Sequence, residues 1–529
     1  MRYKPASART NLSHYLAFRI PPTAPLMNIV RISPPRLRTK EQEDNRSATW
    51  LELFYDLAFV VAVAAVSDRL LGDLTPGRVA SYLAYFALLW WLWASHTYYA
   101  DRYDTDDLVY RLLAAGQMFA VVVLAAALGG DTISTFVFAL GYAIARALLV
   151  AMYWRAHRHV EETRALVRGY LIGFGIAAAV WTLAIFVPEQ VRFGLWALAL
   201  AIDLTTPWIM RREQAKVPLD VSHLPERFGL FTILVLGQSI TAVVAGLGLT
   251  SWTGVSVVAS AASIGVATGL WWLYFDNARG HIVRRDPSVR RTWRPTVWIY
   301  THLPLAAGLA TTAVSLERAI AHSGASSMFA SDRWFLVGSG CVVLASLALI
   351  EFASSGGVGR MRSRGLILNR LIGIPGLIVF GLLADPSPGW IVLGVLGITA
   401  SQLIGDMVIA SHEQDAEQKR NGMGQEDVRI WDDTDNNRYR IEVDGKPAGM
   451  AVYHLRGGMH IFVHTVVDKE FSGRGLGTKL VKYALDDVKQ NGGRILPLCP
   501  LFAAYIKRHS EYDDLVDQQM LARIDRGHS

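Results

Sequence analysis

Trp50-Leu-Glu-Leu-Phe-Tyr-Asp-Leu-Ala-Phe-Val-Val-Ala-Val63 opens the first of a long series of apolar segments, and its character decides the fold. Two carboxylates stand near its start and an unbroken apolar run follows, the pattern of a helix suited to hydrocarbon rather than water. Crossing a bilayer core takes about 20 such residues. Working outward, similar segments recur near 51–71, 79–100, 111–129, 132–153, 168–187, 193–210, 228–249, 254–275, 296–316, 334–352, 366–383 and 389–410, twelve in all. The chain of 529 residues is 52% hydrophobic and 18% charged, with a mean hydropathy of +0.27. Soluble domains carry about a quarter charged residues, so charge here is gathered into loops and ends. The expected fold class is an α-helical polytopic membrane protein of twelve spans with a small C-terminal α+β domain.

Positive charge sorts by loop. Segments of even number are followed by clusters such as Arg155, Arg158, Arg164 and Arg168, then Arg211, Arg212, Lys216 and Arg227, then Arg284, Arg285, Arg290 and Arg291. Segments of odd number are followed only by Arg69, Arg78, Arg192, Arg318 and Arg333. Arg and Lys stay on the cytoplasmic side. The asymmetry therefore predicts a multi-pass protein of the cell inner membrane with both termini cytoplasmic. It also accounts for the net charge of +7 with no nucleic acid as partner. Cys341 falls inside a span and Cys499 in the polar tail, which suggests neither a disulfide nor a metal site. Residues 1–48 hold Pro, Ser and basic residues but no long apolar run, and read as a disordered basic arm without a signal peptide.

Ionisable residues inside apolar spans are costly and face a bundle interior or a water-filled cavity. Glu52 and Asp56 are four apart and share one helix face; Asp276 and His302 lie in or beside later spans. These four form a candidate polar site of transport or sensing type. Two plainer readings stand beside it. Acids in a first helical turn complement the helix dipole, and a histidine beside Pro304 serves as packing.

Several motifs along this region carry a resemblance. Besides the opening stretch they are Asp101-Arg-Tyr-Asp-Thr-Asp-Asp107, His223-Leu-Pro-Glu-Arg-Phe-Gly-Leu-Phe-Thr-Ile-Leu-Val-Leu-Gly237, Trp271-Trp-Leu-Tyr-Phe-Asp276 and Tyr300-Thr-His-Leu-Pro304. In this order they resemble the low temperature requirement A family of bacterial membrane proteins, over about residues 48–410. The resemblance implies a membrane domain at 49–410. Members usually read Leu-Gly-Glu-Ser where this chain has Leu236-Gly-Gln-Ser239.

From residue 411 the chain is polar. Residues 411–436 read as a flexible linker. A compact pattern follows, with strands at Tyr439–Val443, Gly449–Leu455, Met459–Val467 and Ile495–Cys499 and helices near Thr478–Asn491 and Phe502–His509. Between the third strand and the first helix stands Phe471-Ser-Gly-Arg-Gly-Leu-Gly477. A glycine-rich turn at a helix N-terminus presents backbone N–H groups to an anion. The strand order and loop resemble the GNAT acetyltransferase superfamily. Phe462-Val-His-Thr-Val-Val467, Ala484-Leu-Asp486, Leu498-Cys-Pro500 and Tyr505-Ile-Lys-Arg-His509 resemble its small, minimal group over residues 437–515, leaving a tail at 516–529.

That resemblance implies acetyl-CoA as co-substrate and an amine acceptor of unknown identity. It assigns Phe471, Ser472, Gly473, Arg474, Gly475, Leu476, Gly477 and Thr478 to the coenzyme, with Ser472 where the superfamily has Arg or Gln. Three residues are candidates for chemistry: Cys499 as a reactive thiol, His464 as base and Tyr505 as acid. Structural roles in strand or core compete for each. The overall expectation is an integral membrane protein with a cytoplasmic acetyl-CoA-dependent N-acetyltransferase-like domain. The alternative is a transporter or sensor whose tail binds acetyl-CoA as a regulatory ligand without catalysis.

Overall fold

A computed structural model of the chain describes residues 32–37, 49–129, 132–217, 223–276, 293–355, 360–383, 387–423 and 427–517. The chain divides into two compact units at Ala410.

The first unit is helical. Its long helices are α1 (Trp50–Ser67), α2 (Pro76–Arg102), α3 (Leu108–Leu128), α4 (Thr135–His159), α5 (Arg164–Ile185), α6 (Glu189–Ile209), α7 (His223–Gly248), α8 (Gly254–Phe275), α9 (Arg294–Ala321), α10 (Ala330–Ser354), α11 (Arg360–Leu383) and α12 (Pro388–Met423). Each apolar segment of the sequence falls on one of them. Among the described residues, ten are long and apolar enough to cross a membrane. The other two long helices are α2 and α6. For α2 the reason is its place in the bundle. Every residue from Leu88 to Arg102 is buried, so protein rather than lipid surrounds Ser95, His96, Thr97 and Asp101.

Local sequence sets the helix starts. Thr49 caps α1 by accepting from the Glu52 N–H at 3.3 Å, while the Glu52 carboxylate accepts from the Thr49 N–H at 2.8 Å. Thr75 caps α2 ahead of Pro76, and Asp107 caps α3 by accepting from Tyr110 N–H at 3.2 Å. Consecutive helices α3, α4, α5 and α6 pack against one another, and α9 lies between α7 and α10.

Part of the expected disordered arm is held in place. Arg36–Leu37 pairs antiparallel with Tyr103–Asp104. Arg155 grips both oxygens of Asp107, at 2.8 and 2.6 Å, and also donates to the Ser33 carbonyl. An arm residue completes a charge-assisted network there, which fixes residues 32–37. The rest of 1–48 lies outside the described residues.

The second unit is a five-stranded sheet of order β1 (Val428–Asp433), β2 (Arg438–Val443), β3 (Lys446–Arg456), β4 (Met459–Val467) and β5 (Arg494–Pro497). The first four strands run antiparallel, and β5 joins β4 in parallel after helix α13 (Leu476–Gln490). A short helix α14 (Pro500–Ile506) follows. The β2–β3 turn takes φ of +51° and +75° at Asp444 and Gly445, and the β3–β4 turn +59° and +81° at Gly457 and Gly458. Paired left-handed residues match the twist of a tight hairpin. Leu476, Leu480, Val481, Ala484, Leu485 and Val488 bury one face of α13 on the sheet. The expected linker at 411–436 is corrected: α12 runs on to Met423 and an edge strand begins at Val428.

Candidate functional site

Three motifs converge in the membrane unit. Glu52 and Asp56 point from α1 into the bundle, 3% and 0% exposed. Arg227 on α7 donates to Asp56 at 2.6 Å and stands 3.7 Å from Glu52. The Trp93 indole on α2 donates to the same Asp56 oxygen at 2.8 Å. His223, at the start of α7, presents Nδ1 to Asp101 at 3.1 Å and Nε2 to Glu52 at 3.4 Å. Both ring nitrogens thus face carboxylates, an arrangement an imidazolium satisfies with two N–H groups. Buried charges are tolerated when paired in this way, and a ring held between two carboxylates can hold or pass a proton.

Sequence reasoning found the carboxylates and missed their partners. Arg227 counts there among the loop cations, yet its side chain is fully buried. The signal was its place four residues after His223, which puts both on one face of α7. Two further carboxylates in or beside apolar spans, Asp203 and Asp406, likewise have partners that the sequence did not reveal. Arg146 joins Asp203 and donates to Ser95 Oγ at 2.8 Å; Arg370 joins Asp406, which also accepts from Asn369 at 2.8 Å.

The other two members of the expected polar site stand apart. Asp276 is exposed at the C-terminal end of α8, where it accepts from the Trp272 indole. His302 is buried on α9; its Nδ1 faces the Trp298 carbonyl at 2.7 Å and its Nε2 faces the Tyr274 hydroxyl at 3.1 Å. A carbonyl only accepts, so Nδ1 carries a hydrogen. With Nε2 against a tyrosine hydroxyl and no carboxylate in either contact, these are the contacts of a packing histidine.

In the second unit the glycine loop joins β4 to α13. Gly473 and Gly475 take φ of +81° and +72°, the left-handed region where a side chain is strained. A Cβ at either position meets no atom within 4 Å, so the loop borders open space. Among the described residues, no backbone carbonyl accepts from the N–H of Gly473, Gly475, Leu476 or Gly477, and no side chain caps α13. Those donors and the helix dipole together make an anion cradle. Gly477 serves packing as well. A Cβ there would stand 3.3 Å from Leu501, so the glycine lets α13 approach α14. Phe471 is buried and the Arg474 guanidinium sits over its ring at 5.2 Å. Ser472 and Thr478 are exposed beside the cradle.

Beside the cradle β4 and β5 part company. They pair from Met459–Arg494 to Phe462–Pro497 and no further. From Val463 to Val467, β4 has no strand neighbour on that side among the described residues. Cys499 closes the gap by donating its N–H to the Phe462 carbonyl at 2.8 Å. Its thiol is 3% exposed, and Thr465 Oγ1 lies 3.3 Å from Sγ.

The three chemical candidates are not all brought together. Val452 pairs with His464, and Tyr453 with Phe462, so Val463 is an extra residue in β4. Such a bulge reverses which face later residues occupy. Thr465 therefore joins Phe462 on the side of α13, while His464 is exposed on the opposite face. Tyr505 is buried in α14 with its ring stacked on His509 at 4.1 Å, and burial raises its pKa above the ordinary phenol value. Farther along the sheet, half-buried His460 faces Asp432 and Asp487, and desolvation lowers its pKa from 6.5 despite them.

An α-helical multi-pass membrane body followed by a small α+β domain of GNAT type defines the class of protein. Residues 47–401 match the family described as bacterial low temperature requirement A protein, and the chain belongs to that family. Residues 438–515 match GCN5-related N-acetyl-transferase. A protein of Rhizobium meliloti (strain 1021), described as "Uncharacterized protein RA0937", is 28% identical over 301 residues, covering 54% of this chain and 72% of its own length. No solved structure matches the chain.

Proposed function

We propose that the C-terminal domain is an acetyl-CoA-dependent N-acetyltransferase working on the cytoplasmic side of the inner membrane. The observation that carries this reading is the set of uncommitted N–H groups of Gly473, Gly475, Leu476 and Gly477, set beside the gap between β4 and β5. Pyrophosphate fits the cradle, and the free edge of β4 suits the amide-bearing arm of the coenzyme. The thioester then lies toward Thr465 and Cys499. The acceptor amine attacks the thioester carbonyl and forms the C–N bond; the oxyanion collapses with cleavage of the C–S bond, and the proton shed by the amine nitrogen ends on the departing coenzyme A thiolate. Positioning supplies much of such a rate.

The positive-inside pattern supports the cytoplasmic placement, because acetyl-CoA is a cytoplasmic metabolite. For the body, the buried Glu52–His223–Asp101 and Asp56–Arg227 network supports a transport or sensing role.

The test uses the full-length protein in detergent. Acetyl-CoA binding is followed by calorimetry, and free thiol release is followed with a panel of amines. Gly475→Val places a branched side chain at φ +72° and is expected to abolish binding while the membrane unit stays folded. Normal binding by that variant overturns the loop assignment. Binding without thiol release for any amine overturns the catalytic reading.

A further inference from the structure

Arg102 stands apart from the other buried arginines of the membrane unit. It closes α2, within the Asp101-Arg-Tyr-Asp104 stretch, and is 2% exposed. Arg146, Arg227 and Arg370 each lie against a carboxylate. None of the three guanidinium nitrogens of Arg102 has a hydrogen-bond partner among the described residues.

The groups facing it explain why. They are Tyr103, Tyr153 and Tyr170, with Asp101 beside it in sequence. The Asp101 carboxylate is turned to His223 Nδ1 at 3.1 Å. The Tyr103 hydroxyl donates to Thr163 Oγ1 at 2.9 Å. The Tyr170 ring centroid is 6.0 Å from Arg102 Cζ, and its hydroxyl faces the guanidinium outside hydrogen-bond geometry. The Tyr153 hydroxyl is itself buried and unpartnered. Its ring stands 5.3 Å from Tyr170. The buried cation is thus ringed by phenols that lie outside hydrogen-bond geometry, with no ion pair to a carboxylate among the described residues.

Leaving a buried cation unpaired is among the costliest arrangements a fold can hold. Mutual exclusion of water by three phenol rings raises that cost further. We propose that Arg102 is the centre of a binding site for a small monovalent anion, held by the guanidinium fork and the Tyr153 hydroxyl. A carboxylate matches the fork with two parallel N–H bonds, and a halide takes the same donors as a sphere. This assignment is independent of the acetyltransferase reading and involves no residue of the C-terminal domain.

The experiment measures thermal unfolding of the full-length protein in detergent. Potassium HEPES, whose anion is a bulky sulfonate, is replaced stepwise, at fixed ionic strength, by potassium chloride in one arm and potassium acetate in the other. A ligand that binds only the folded state raises Tm in a saturable way. The wild type is expected to gain about 3 °C or more in at least one arm, and the arm that responds identifies halide or carboxylate. Arg102→Gln keeps much of the side-chain length and removes the charge; it is expected to lose the response. Tyr153→Phe is expected to keep it with an affinity about tenfold weaker, the equivalent of one charged hydrogen bond.

A wild type with no saturable shift in either arm overturns the proposal. So does an equal shift in Arg102→Gln. Should that variant fail to fold, Tyr153→Phe decides: an unchanged titration midpoint overturns the site, and a weakened one supports it.

Discussion

Asp56 receives two donors on one oxygen, the Arg227 guanidinium at 2.6 Å and the Trp93 indole at 2.8 Å. Removing the cation alone leaves Asp56 buried with only the Trp93 indole as donor and takes the nearby guanidinium from Glu52. Arg227→Met is therefore expected to destabilise the membrane unit by about 3–5 kcal/mol. Pairing it with Asp56→Leu should restore a large part of that loss, since two apolar side chains replace an ion pair at little cost. Thermal unfolding of the two variants in detergent checks both statements. In the second unit, Cys499→Ala is expected to lower turnover by about a hundredfold, through misplacement of the thioester that lies beside it, with acetyl-CoA binding kept. His464→Ala is expected to leave turnover unchanged, because the ring is exposed on the far face of the sheet. Steady-state kinetics on the responsive amine separates them. At this scale the sequence told which residues were costly and not what they touched. Glu52 and Asp56 stood out because carboxylates are rare in apolar runs. Arg227 and His223 did not, since their partners lie on other helices and their four-residue spacing within α7 shows a shared face but not what that face meets. Asp276 looked equally costly, but it ends α8 at an exposed position and bears no such penalty.

Elements were legible where their periodicity was strong. The alternation of β2 and the apolar stripe of α13 were read with bounds close to those observed, because one face of each is buried. The edge strand β1 was not, since Asp432 and Asp433 give Val428–Asp433 the polarity of a linker. The far end of α12 was hidden likewise: its Glu, Gln, Lys and Arg residues look like solvated coil yet are strong helix formers. The bulge at Val463 left no mark in the sequence, and by strict alternation His464 shares the face of Phe462. One element yields a pH prediction. His460 opens β4, and burial lowers its pKa below 6.5. A group whose folded pKa is depressed adds stability above its unfolded pKa, and that stability is lost as pH falls toward the folded value. Hydrogen exchange of the 476–490 helix in the full-length protein should therefore quicken as pH falls below about 6.5, after correction for intrinsic exchange. His460→Gln should flatten that dependence; an equally steep profile in the variant would mean another group controls it.

For the whole molecule, the loop-charge asymmetry predicts twelve crossings with both ends on the cytoplasmic side. Reporter fusions after Val187 and Met423 should then lie on opposite sides of the membrane, and the same side for both would break the model of topology. The family and the two-part architecture were legible from motif order, because apolar length and a glycine loop are local properties. Which helix occupies the middle was not. Leu88–Arg102 is enclosed on every side, and α2 is not among the helices apolar enough to cross a membrane by composition. That combination bears on biogenesis. As the nascent chain leaves the ribosome, α2 reaches the translocon carrying His96, Asp101 and Arg102, and the last two alone oppose partitioning into lipid. It must wait at the channel until α1 and the helices after it can shelter these groups. A chain cut short after α2 should fail to integrate its second segment, whereas one extended through α7, which brings His223 to Asp101, should hold it.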